Sequence, residues 1–274
     1  MKHAREGGPV RYRARVEYDG TEFAGFQAQP GRRTVQGELE RVLAHLWGES
    51  AFRIKAAGRT DAGVHATGQV IAFTWRGGID ARELGQAIGA LLPPDVAIGP
   101  LTRVALDFDP RRAATRREYR YSIWTGPRKP LGNRYRYELD EPLDAEAMHH
   151  AAQLLVGRHD FAAFGRVQHT SVRTLYELRV RRQGHLVTID VSGDAFLQQM
   201  VRSIVAALIR IGMGRATAED LERELRSPGR AFEGAVVPAH GLCLRRVVIE
   251  PERTRKTTRK HDRGHEQDLH AKGK

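Results

Sequence analysis

The order of strand-like and helix-like segments along the chain is the feature that most constrains the fold. Residues 11–18 alternate large and charged side chains, which is typical of a strand with one solvated face. Thr34 is a candidate N-cap for a helix with an apolar stripe from Val35 to Leu46. The first predicted elements are strands at 11–18, 52–56, 69–75 and 96–104 and helices at 34–47 and 80–92. This β-α-β-β-α-β order predicts a ferredoxin-like unit.

The second part of the chain repeats that order loosely, although no residue-level repeat is visible. Its predicted elements are strands at 117–124, 172–182, 185–192 and 242–249 and helices at 144–156, 195–212 and 218–226. We therefore expect an α+β fold in which two ferredoxin-like (RRM-like) α/β units merge antiparallel sheets, with the active-site cleft between them. The expected boundaries are a flexible N-terminus at 1–10, domains at 11–106 and 107–250, and a disordered basic tail at 251–274.

The chain is strongly basic, with a formal net charge of +12 and a pI of about 10.3. The tail from Pro251 holds eight Lys or Arg against four Asp or Glu, so the rest of the chain keeps +8. Arginine dominates this excess, and its planar guanidinium suits bidentate contacts with phosphate. We therefore expect a nucleic-acid partner, although a merely basic enzyme would show the same totals.

Cysteine usage and hydropathy indicate the compartment. Cys243 is the only cysteine in the sequence, which excludes an internal disulfide and a cysteine-based zinc site. The N-terminal residues contain no apolar segment typical of a signal peptide, and no apolar run approaches the length of a membrane span. These patterns predict a soluble, cytoplasmic protein without membrane contact.

Residues 57–70 form the stretch most suited to chemistry, because three glycines surround closely spaced Arg, Thr, Asp and His residues. Glycine at this density favours tight turns, so we expect a loop between two strands that presents Arg59 and Asp61. An ion pair between these two side chains would keep the carboxylate charged. The residues alone also allow a structural Asp61 that caps a turn, with Arg59 as a surface charge.

Several common catalytic motifs are absent from the sequence. The chain contains no Gly-x-x-x-x-Gly-Lys-Ser/Thr phosphate loop, no Gly-x-Gly-x-x-Gly after a strand and no Gly-x-Ser-x-Gly elbow. The segment 265–270 resembles a zinc-protease helix, but its second histidine comes one residue too late. We expect no metal and no cofactor, and an ionised Asp acting as a covalent nucleophile satisfies these limits.

The segment Gly58-Arg59-Thr60-Asp61-Ala62-Gly63-Val64-His65-Ala66 resembles the catalytic loop of the tRNA pseudouridine synthase A family. Further matching blocks follow in order, at residues 18–27, 107–121, 141–144, 157–161, 196–202 and 241–242. The resemblance therefore covers roughly residues 11 to 250. Phe26 stands where Trp is usual in the family, and Asp109 stands where His is usual.

The resemblance implies catalytic roles for four residues. Asp61 would be the nucleophile that attacks the target uridine at the ribose C1′ or at the base C6. Tyr119 would stack on the base and assist proton transfer, and Arg202 would pair with Asp61. Arg59 would hold the RNA with the target base extruded. The residues alone also allow Tyr119 as an ordinary strand aromatic, and Arg202 as a solvated side chain on the polar margin of its helix.

RNA contacts are also implied by the resemblance, for Phe108, Arg111, Arg112, Gln168 and Arg173. The chain departs from the family pattern nearby, because Gly165 stands where an Arg is common and Arg166 follows it. If the two units merge as expected, the pairs Arg111-Arg112 and Arg116-Arg117 would lie beside Asp61.

As a whole, the resemblance implies a cofactor-free homodimer that isomerises uridines 38, 39 and 40 in the anticodon stem-loop of tRNA. The main alternative is a non-catalytic RNA-binding protein of the same fold that kept the basic cleft. A nuclease that uses Asp61 with His65 would need metal-binding carboxylates, which are not clustered in this sequence. We interpret His65 as part of the scaffold.

Overall fold

The computed structural model describes residues 8–167, 169–227 and 236–249. Its helices are α1 (Val35–Trp47), α2 (Ala81–Leu91), α3 (Pro110–Ala113), α4 (Ala145–Ala152), α5 (Met200–Gly212) and α6 (Ala218–Leu225). Its strands are β1 (Pro9–Tyr18), β2 (Lys55–Ala56), β3 (His65–Arg76), β4 (Val96–Ile98), β5 (Thr102–Val104), β6 (Ala114–Trp124), β7 (Tyr137–Glu138), β8 (Gly157–Asp160), β9 (Val172–Gln183), β10 (Leu186–Gly193) and β11 (Leu242–Ile249). Short 3-10 turns lie at Asn133–Tyr135, Gln153–Leu155, Ala162–Phe164 and Ala239–Gly241.

One sheet joins the strands of the described residues. Neighbouring strands follow the order β4-β1-β3-β11-β6-β10-β9-β8, while β2 pairs with β3, β5 with β1 and β7 with β6. Most pairs are antiparallel, but β6 and the short β7 run parallel, and so do β3 and β11, with Cys243 opposite His65 and Leu244 opposite Ala66. The expected combination of helices with a large sheet is confirmed, and its two antiparallel parts meet at this parallel pair.

The two parts of the sheet follow the same strand order. In the first part β4, β1, β3 and β2 are successive neighbours, and in the second part β11, β6, β10 and β9 are. Because β11 also pairs with β3, the last strand of the second part meets the first part. Leu244 therefore lies between Ala66 on one side and Tyr119 on the other. This register brings the loop that precedes β3 close to the strand that carries Tyr119.

The first helix forms where its caps and apolar spacing predict it. The Thr34 side chain accepts a hydrogen bond from the Gly37 N–H at 3.2 Å, which satisfies one free donor of the first turn. Gly48 ends the helix in the left-handed conformation, with a φ of 74°. The helix buries the side chains of Val35, Leu39 and Leu43 completely. The predicted helix at 34–47 is confirmed.

Each part of the sheet has its own hydrophobic core. The core of the first part gathers side chains from β1, β3, α1 and α2, including Tyr12, Phe73, Leu43 and Ile88. The core of the second part gathers side chains from β6, β10, α4 and α5, including Ile123, Ile189, Met148 and Ile204. Burial of each such side chain contributes about 1.5–3 kcal/mol. Tyr119 packs against both cores, so it lies where the two parts meet.

Several element boundaries differ from the prediction. Strand β3 begins at His65 rather than at residue 69, because its first residues pair with the distant β11, and the glycine-rich loop therefore covers 57–64. Helix α5 begins at Met200 rather than at residue 195, because Gln199 has a φ of 68° and interrupts helical geometry. The strand predicted at 52–56 is limited to β2, and the strand predicted at 96–104 is divided into β4 and β5.

Two further predictions concern the ends of the chain, namely a flexible N-terminus at 1–10 and a disordered basic tail at 251–274. Pro9 and Val10 belong to β1 and pair with Arg76 and Trp75, so the flexible N-terminus predicted at 1–10 is wrong for these residues. Residues 1–7 and the basic tail at 251–274 lie outside the described residues. Among the helices of the described ranges, none combines the length and apolar character needed to cross a membrane.

Candidate active site

A cleft of about 1010 Å³ lies between the two parts of the molecule. The loop 57–64 lines it from the first part, and residues 195–202 line it from the second. The structure brings together six of the residues predicted for the site along its walls, namely Arg59, Asp61, Arg111, Tyr119, Arg173 and Arg202. Phe108 and Arg112 are not among the residues that line the cleft, and Gln168 lies outside the described residues.

Hydrogen bonds from neighbouring segments hold the loop 57–64. The Phe26 N–H donates to the Thr60 carbonyl at 3.1 Å, and the Tyr18 and Thr60 hydroxyls are 2.8 Å apart. The Gln69 side-chain amide donates to the Gly58 carbonyl at 3.1 Å. Within the loop, the Val64 N–H donates to the Asp61 carbonyl at 3.2 Å. The backbone on both sides of Asp61 is therefore fixed by contacts with β1, β3 and the segment before α1.

Two glycines outside the loop allow this close packing. A Cβ at Gly20 would lie 2.1 Å from the Val64 carbonyl oxygen, so no side chain fits there without a backbone shift. Gly25 has a φ of 101°, and a Cβ there would lie 3.0 Å from the Thr60 carbonyl oxygen. Both positions need glycine because the backbone of the loop approaches them directly.

Asp61 and Arg202 meet across the cleft from opposite parts of the molecule. The distance between Arg202 Nη1 and Asp61 Oδ2 is 3.7 Å, and the two side chains are 15% and 26% exposed. Arg202 Nε also donates to the Val237 carbonyl at 2.8 Å, which orients the guanidinium. Helix α5 thus presents Arg202 toward the loop. A solvated Arg202, which helix periodicity alone favours, is not observed.

The charge state expected for Asp61 needs a correction. In the described part of the chain no ion pair joins Asp61 to Arg59, whose side chain is exposed. Burial raises the pKa of Asp61, and the nearby Arg202 and Arg166 lower it by less than burial raises it. The prediction that Arg59 would keep this carboxylate charged is therefore wrong. The cations that favour the ionised form of Asp61, Arg202 and Arg166, belong to the second part of the molecule.

Tyr119 lies at the centre of β6 and faces the cleft. Its ring meets the Phe196 ring edge to face, with centroids 5.2 Å apart. Burial, with a smaller contribution from Asp61, raises the pKa of Tyr119 to about 12 against the opposing effect of Arg117. The phenol therefore stays protonated near neutral pH, and it can donate a hydrogen bond or a proton to a bound base.

Arg117 is a cleft residue whose role the sequence did not indicate. Its guanidinium donates to the Ala57 carbonyl at 2.8 Å and to the Arg111 carbonyl at 3.2 Å, and it also reaches the Asp194 carbonyl. Burial lowers the pKa of Arg117. Arg117 and Tyr119 are two residues apart on β6, so both side chains lie on the same face of the strand. This alternation along the strand is the sequence signal that identifies Arg117 as a cleft residue. Arg117 ties the start of the loop to the second part.

His65 and the junction arginines occupy scaffold or surface positions. His65 Nδ1 accepts from the Gly20 N–H at 2.9 Å, so its Nε2 carries the proton that bonds the Arg134 carbonyl at 3.0 Å. Both ring nitrogens are thus engaged within the protein, as expected for a scaffold residue. Arg116 is not beside Asp61, because its guanidinium lies 5.0 Å from the ring centroid of Tyr176.

The segment at 107–113 explains why Phe108 and Arg112 lie away from the cleft. The Asp109 carboxylate accepts from the Arg111 N–H at 2.9 Å and from the Arg112 N–H at 3.4 Å, and so caps the short helix α3. Asp109 also accepts from Lys55 Nζ at 2.9 Å. The unpredicted helix turns Arg112 to solvent, where its side chain is 80% exposed.

The donor set of the cleft contains no metal-binding arrangement. Among residues 8–167, 169–227 and 236–249, no group of three or more His, Cys, Asp or Glu side chains is placed to hold a metal ion. The arrangement offers instead the half-buried Asp61 carboxylate, a second carboxylate at Asp109 that is paired with Lys55, one protonated phenol and several guanidinium groups. Such a set suits nucleophilic attack by a carboxylate on a polyanionic substrate.

Comparisons with known proteins identify the family of this chain. The profile described as tRNA pseudouridine synthase matches residues 14–111 and 151–248. The tRNA pseudouridine synthase A of Geobacillus kaustophilus is 38% identical over 247 residues, which is 88% of this chain and 95% of that protein. The tRNA pseudouridine synthase A of Geobacter sulfurreducens is 39% identical over 236 residues, which is 85% of this chain and 96% of that protein. Because the profile matches residues in both parts of the fold and these relatives are 38% and 39% identical over most of the chain, the chain belongs to the tRNA pseudouridine synthase A family.

Proposed function

We propose that this protein isomerises uridine to pseudouridine at positions 38, 39 and 40 in the anticodon stem-loop of tRNA. Asp61 is the nucleophile, Tyr119 contacts the base, and no cofactor takes part. The observation that carries the proposal is the Asp61–Arg202 contact of 3.7 Å, made across a cleft that Tyr119 also lines. An acid and a cation from different parts of the fold have no need to meet in a solvated cleft for stability alone.

The chemistry follows from the positions of these groups. The Asp61 carboxylate attacks the uridine at C1′ or C6, the N1–C1′ bond breaks, and the uracil turns within the cleft. A C5–C1′ bond then forms and the bond to Asp61 breaks, which regenerates the carboxylate, with a proton lost from C5 and one gained at N1. Arg202 stabilises the ionised Asp61, and the Tyr119 ring supports the turning base while its hydroxyl is available for proton transfer. Stacking on an aromatic ring returns about 1–3 kcal/mol of the cost of base extrusion.

RNA binding in this proposal uses cations that line the cleft. Arg59 holds the strand from which the base is extruded, and Arg111 and Arg173 contact phosphates farther along the walls. The supporting observation is that all three line the cleft. Phe108, Arg112 and Gln168 remain proposed contacts for a tRNA that extends beyond the cleft.

We also propose a domain organisation, an oligomeric state and a cellular location for the protein. The shared strand order supports two ferredoxin-like units, at 11–106 and 107–250. A homodimer and a cytoplasmic location are proposed from the family. Light scattering on purified protein tests the dimer, and a monomer at working concentration with full activity would contradict it.

The direct experiment compares wild type, Asp61→Asn and a control, Asp140→Asn, on unmodified tRNA. Asp140 is an exposed carboxylate outside the cleft. Pseudouridine is mapped with a base-specific chemical label, because the two isomers have equal mass. We expect product at 38–40 with wild type and Asp140→Asn only, while all three proteins bind the tRNA.

Each alternative has its own outcome in this experiment. Product formation by Asp61→Asn at the wild-type rate would show that Asp61 is not the nucleophile. Binding without product by wild type would favour the non-catalytic RNA-binding protein. Loss of wild-type product after treatment with a metal chelator would contradict cofactor-free catalysis, and product only at other positions would contradict the anticodon assignment.

A further inference from the structure

The cleft wall at Gly165 and Arg166 contains a cation that the proposed mechanism does not use. Arg166 forms an isolated antiparallel bridge with Gln198, and its N–H donates to the Gln198 carbonyl at 3.1 Å. A Cβ at Gly165 would lie 2.6 Å from Leu197 Cβ and 2.9 Å from the Gln198 carbonyl oxygen. Position 165 therefore has no room for a side chain, and the residue that can extend from this wall into the cleft is Arg166.

The Arg166 guanidinium is available to a ligand. Its side chain is exposed and lines the cleft, and within the described ranges no ion pair or hydrogen bond engages its guanidinium. Three other cleft cations are occupied within the protein: Arg117 by backbone carbonyls, Arg202 by Asp61 and Lys55 by Asp109. An arginine inside a cleft whose planar guanidinium has no protein partner can donate two hydrogen bonds to one phosphate.

We infer that Arg166 binds a phosphate of the RNA strand that enters the cleft, opposite the loop that carries Arg59. The inference rests on the proposed function, because it takes the strand to be RNA and the target base to lie at Asp61. Arg59 comes from the first part of the molecule and Arg166 from the second, so together they hold the backbone from two sides. The field of Arg166 at Asp61, which lowers the pKa of that carboxyl, agrees with a position close to the target nucleotide.

The salt dependence of tRNA binding tests this contact. The dissociation constant of unmodified tRNA is measured across a series of KCl concentrations for Asp61→Asn, which binds without turnover, and for the same protein carrying Arg166→Ala. Removal of one phosphate contact should reduce the slope of log Kd against log [KCl] by about 0.7–0.9 and weaken binding at low salt by about tenfold. Arg166→Lys should retain the slope, because it keeps the charge.

Arg82→Ala serves as the control, because Arg82 is an exposed arginine on α2 outside the cleft. We expect its slope to equal that of the parent. An Arg166→Ala slope equal to that of Arg82→Ala would overturn the inference. So would unchanged binding together with a shifted pH dependence of the wild-type reaction, which would assign Arg166 to Asp61 alone.

The double variant Gly165→Arg/Arg166→Gly provides a second, geometric test. Because position 165 has no room for a side chain, moving the arginine by one residue should not restore the slope. Full restoration would contradict the assignment to position 166. If wild type makes no pseudouridine but Arg166→Ala still lowers the slope, the proposed function fails while the phosphate contact stands.

Discussion

The two walls of the cleft are built differently. The loop 57–64 is held at Gly58 and Thr60 by hydrogen bonds from β3 and from the segment before α1, and at Asp61 by a hydrogen bond within the loop. On the facing wall, the side chains of Arg166 and Val167 are exposed, and Arg166 has no protein partner for its guanidinium in the part of the chain that the structure describes. One wall is fixed before RNA arrives, whereas the other leaves its cation to the ligand.

The difference follows from what each wall must do. A nucleophile needs its reacting atom within about 3–3.5 Å of its target, and a displacement of 1 Å can cost about a hundredfold in rate. A phosphate contact made by a long arginine tolerates more movement, because the side chain adjusts to the anion. We therefore expect changes to the loop wall to alter the rate of reaction, and changes to the facing wall to alter binding.

The largest expected effect comes from disturbing the packing beneath the loop. In Gly20→Ala the new methyl group would lie 2.1 Å from the Val64 carbonyl oxygen, so the loop must move. We expect a loss of about 3 kcal/mol in the free energy of unfolding and a fall of about a hundredfold in the single-turnover rate. Urea unfolding and rapid-quench assays at saturating tRNA measure the two effects.

A second glycine supplies the matched control for that change. Gly89 lies in α2, and a Cβ there meets nothing within 4 Å. Gly89→Ala should leave the rate unchanged and raise the free energy of unfolding by up to about 1 kcal/mol. A wild-type rate in Gly20→Ala would contradict the view that the loop is held by contact with Gly20.

A smaller effect separates the two neighbouring arginines on α3. Arg111 lines the cleft, whereas Arg112 is directed to solvent and lies 3.8 Å from the Asp109 carboxylate. Arg111→Ala should weaken tRNA binding by about tenfold at low salt, and Arg112→Ala by about twofold or less. Filter binding of both variants to the same tRNA measures the comparison. Equal losses would show that bound RNA extends over the outer face of α3.

Local features of the sequence predicted local structure well. Helix α1 follows from the Thr34 cap and the buried stripe beginning at Val35, and strand β11 lies at 242–249 as predicted. The pairing of strands that are distant in the sequence was harder to predict. The first residues of β3 pair with β11, a partner that the spacing around His65 does not reveal. Helix α5 starts late because Gln199 adopts a left-handed backbone, which its residue type does not indicate.

In the candidate site, too, contacts between residues that are distant in the sequence were the ones that the residues alone did not predict. Adjacency in sequence suggested Arg59 as the partner of Asp61, but backbone neighbours in a tight loop can point apart, and Arg59 faces solvent. The observed partner, Arg202, comes from a distant helix, and only the family resemblance indicated it. Arg117 was expected beside Asp61, but its role in holding the loop was not predicted, because its partners are backbone carbonyls at Ala57, Arg111 and Asp194, which have no sequence signature.

The central claim is that Asp61 reacts as an ionised nucleophile and that Arg202 keeps it ionised. Burial raises the pKa of Asp61, so the wild-type single-turnover rate at saturating tRNA should rise with pH through a pKa above that of an ordinary Asp. Arg202→Gln removes the main cation that opposes this rise. The pKa of Asp61 should then be higher still, and the acid limb of the profile should move to higher pH.

The decisive measurement is the pH–rate profile of Arg202→Gln beside wild type and Arg210→Gln. Arg210 lies on the same helix but pairs with Glu224 outside the cleft, so its variant controls for changes to α5. We predict an acid limb displaced to higher pH for Arg202→Gln alone, with a rate about tenfold lower at mildly acidic pH. An acid limb at the wild-type position in Arg202→Gln would contradict the account.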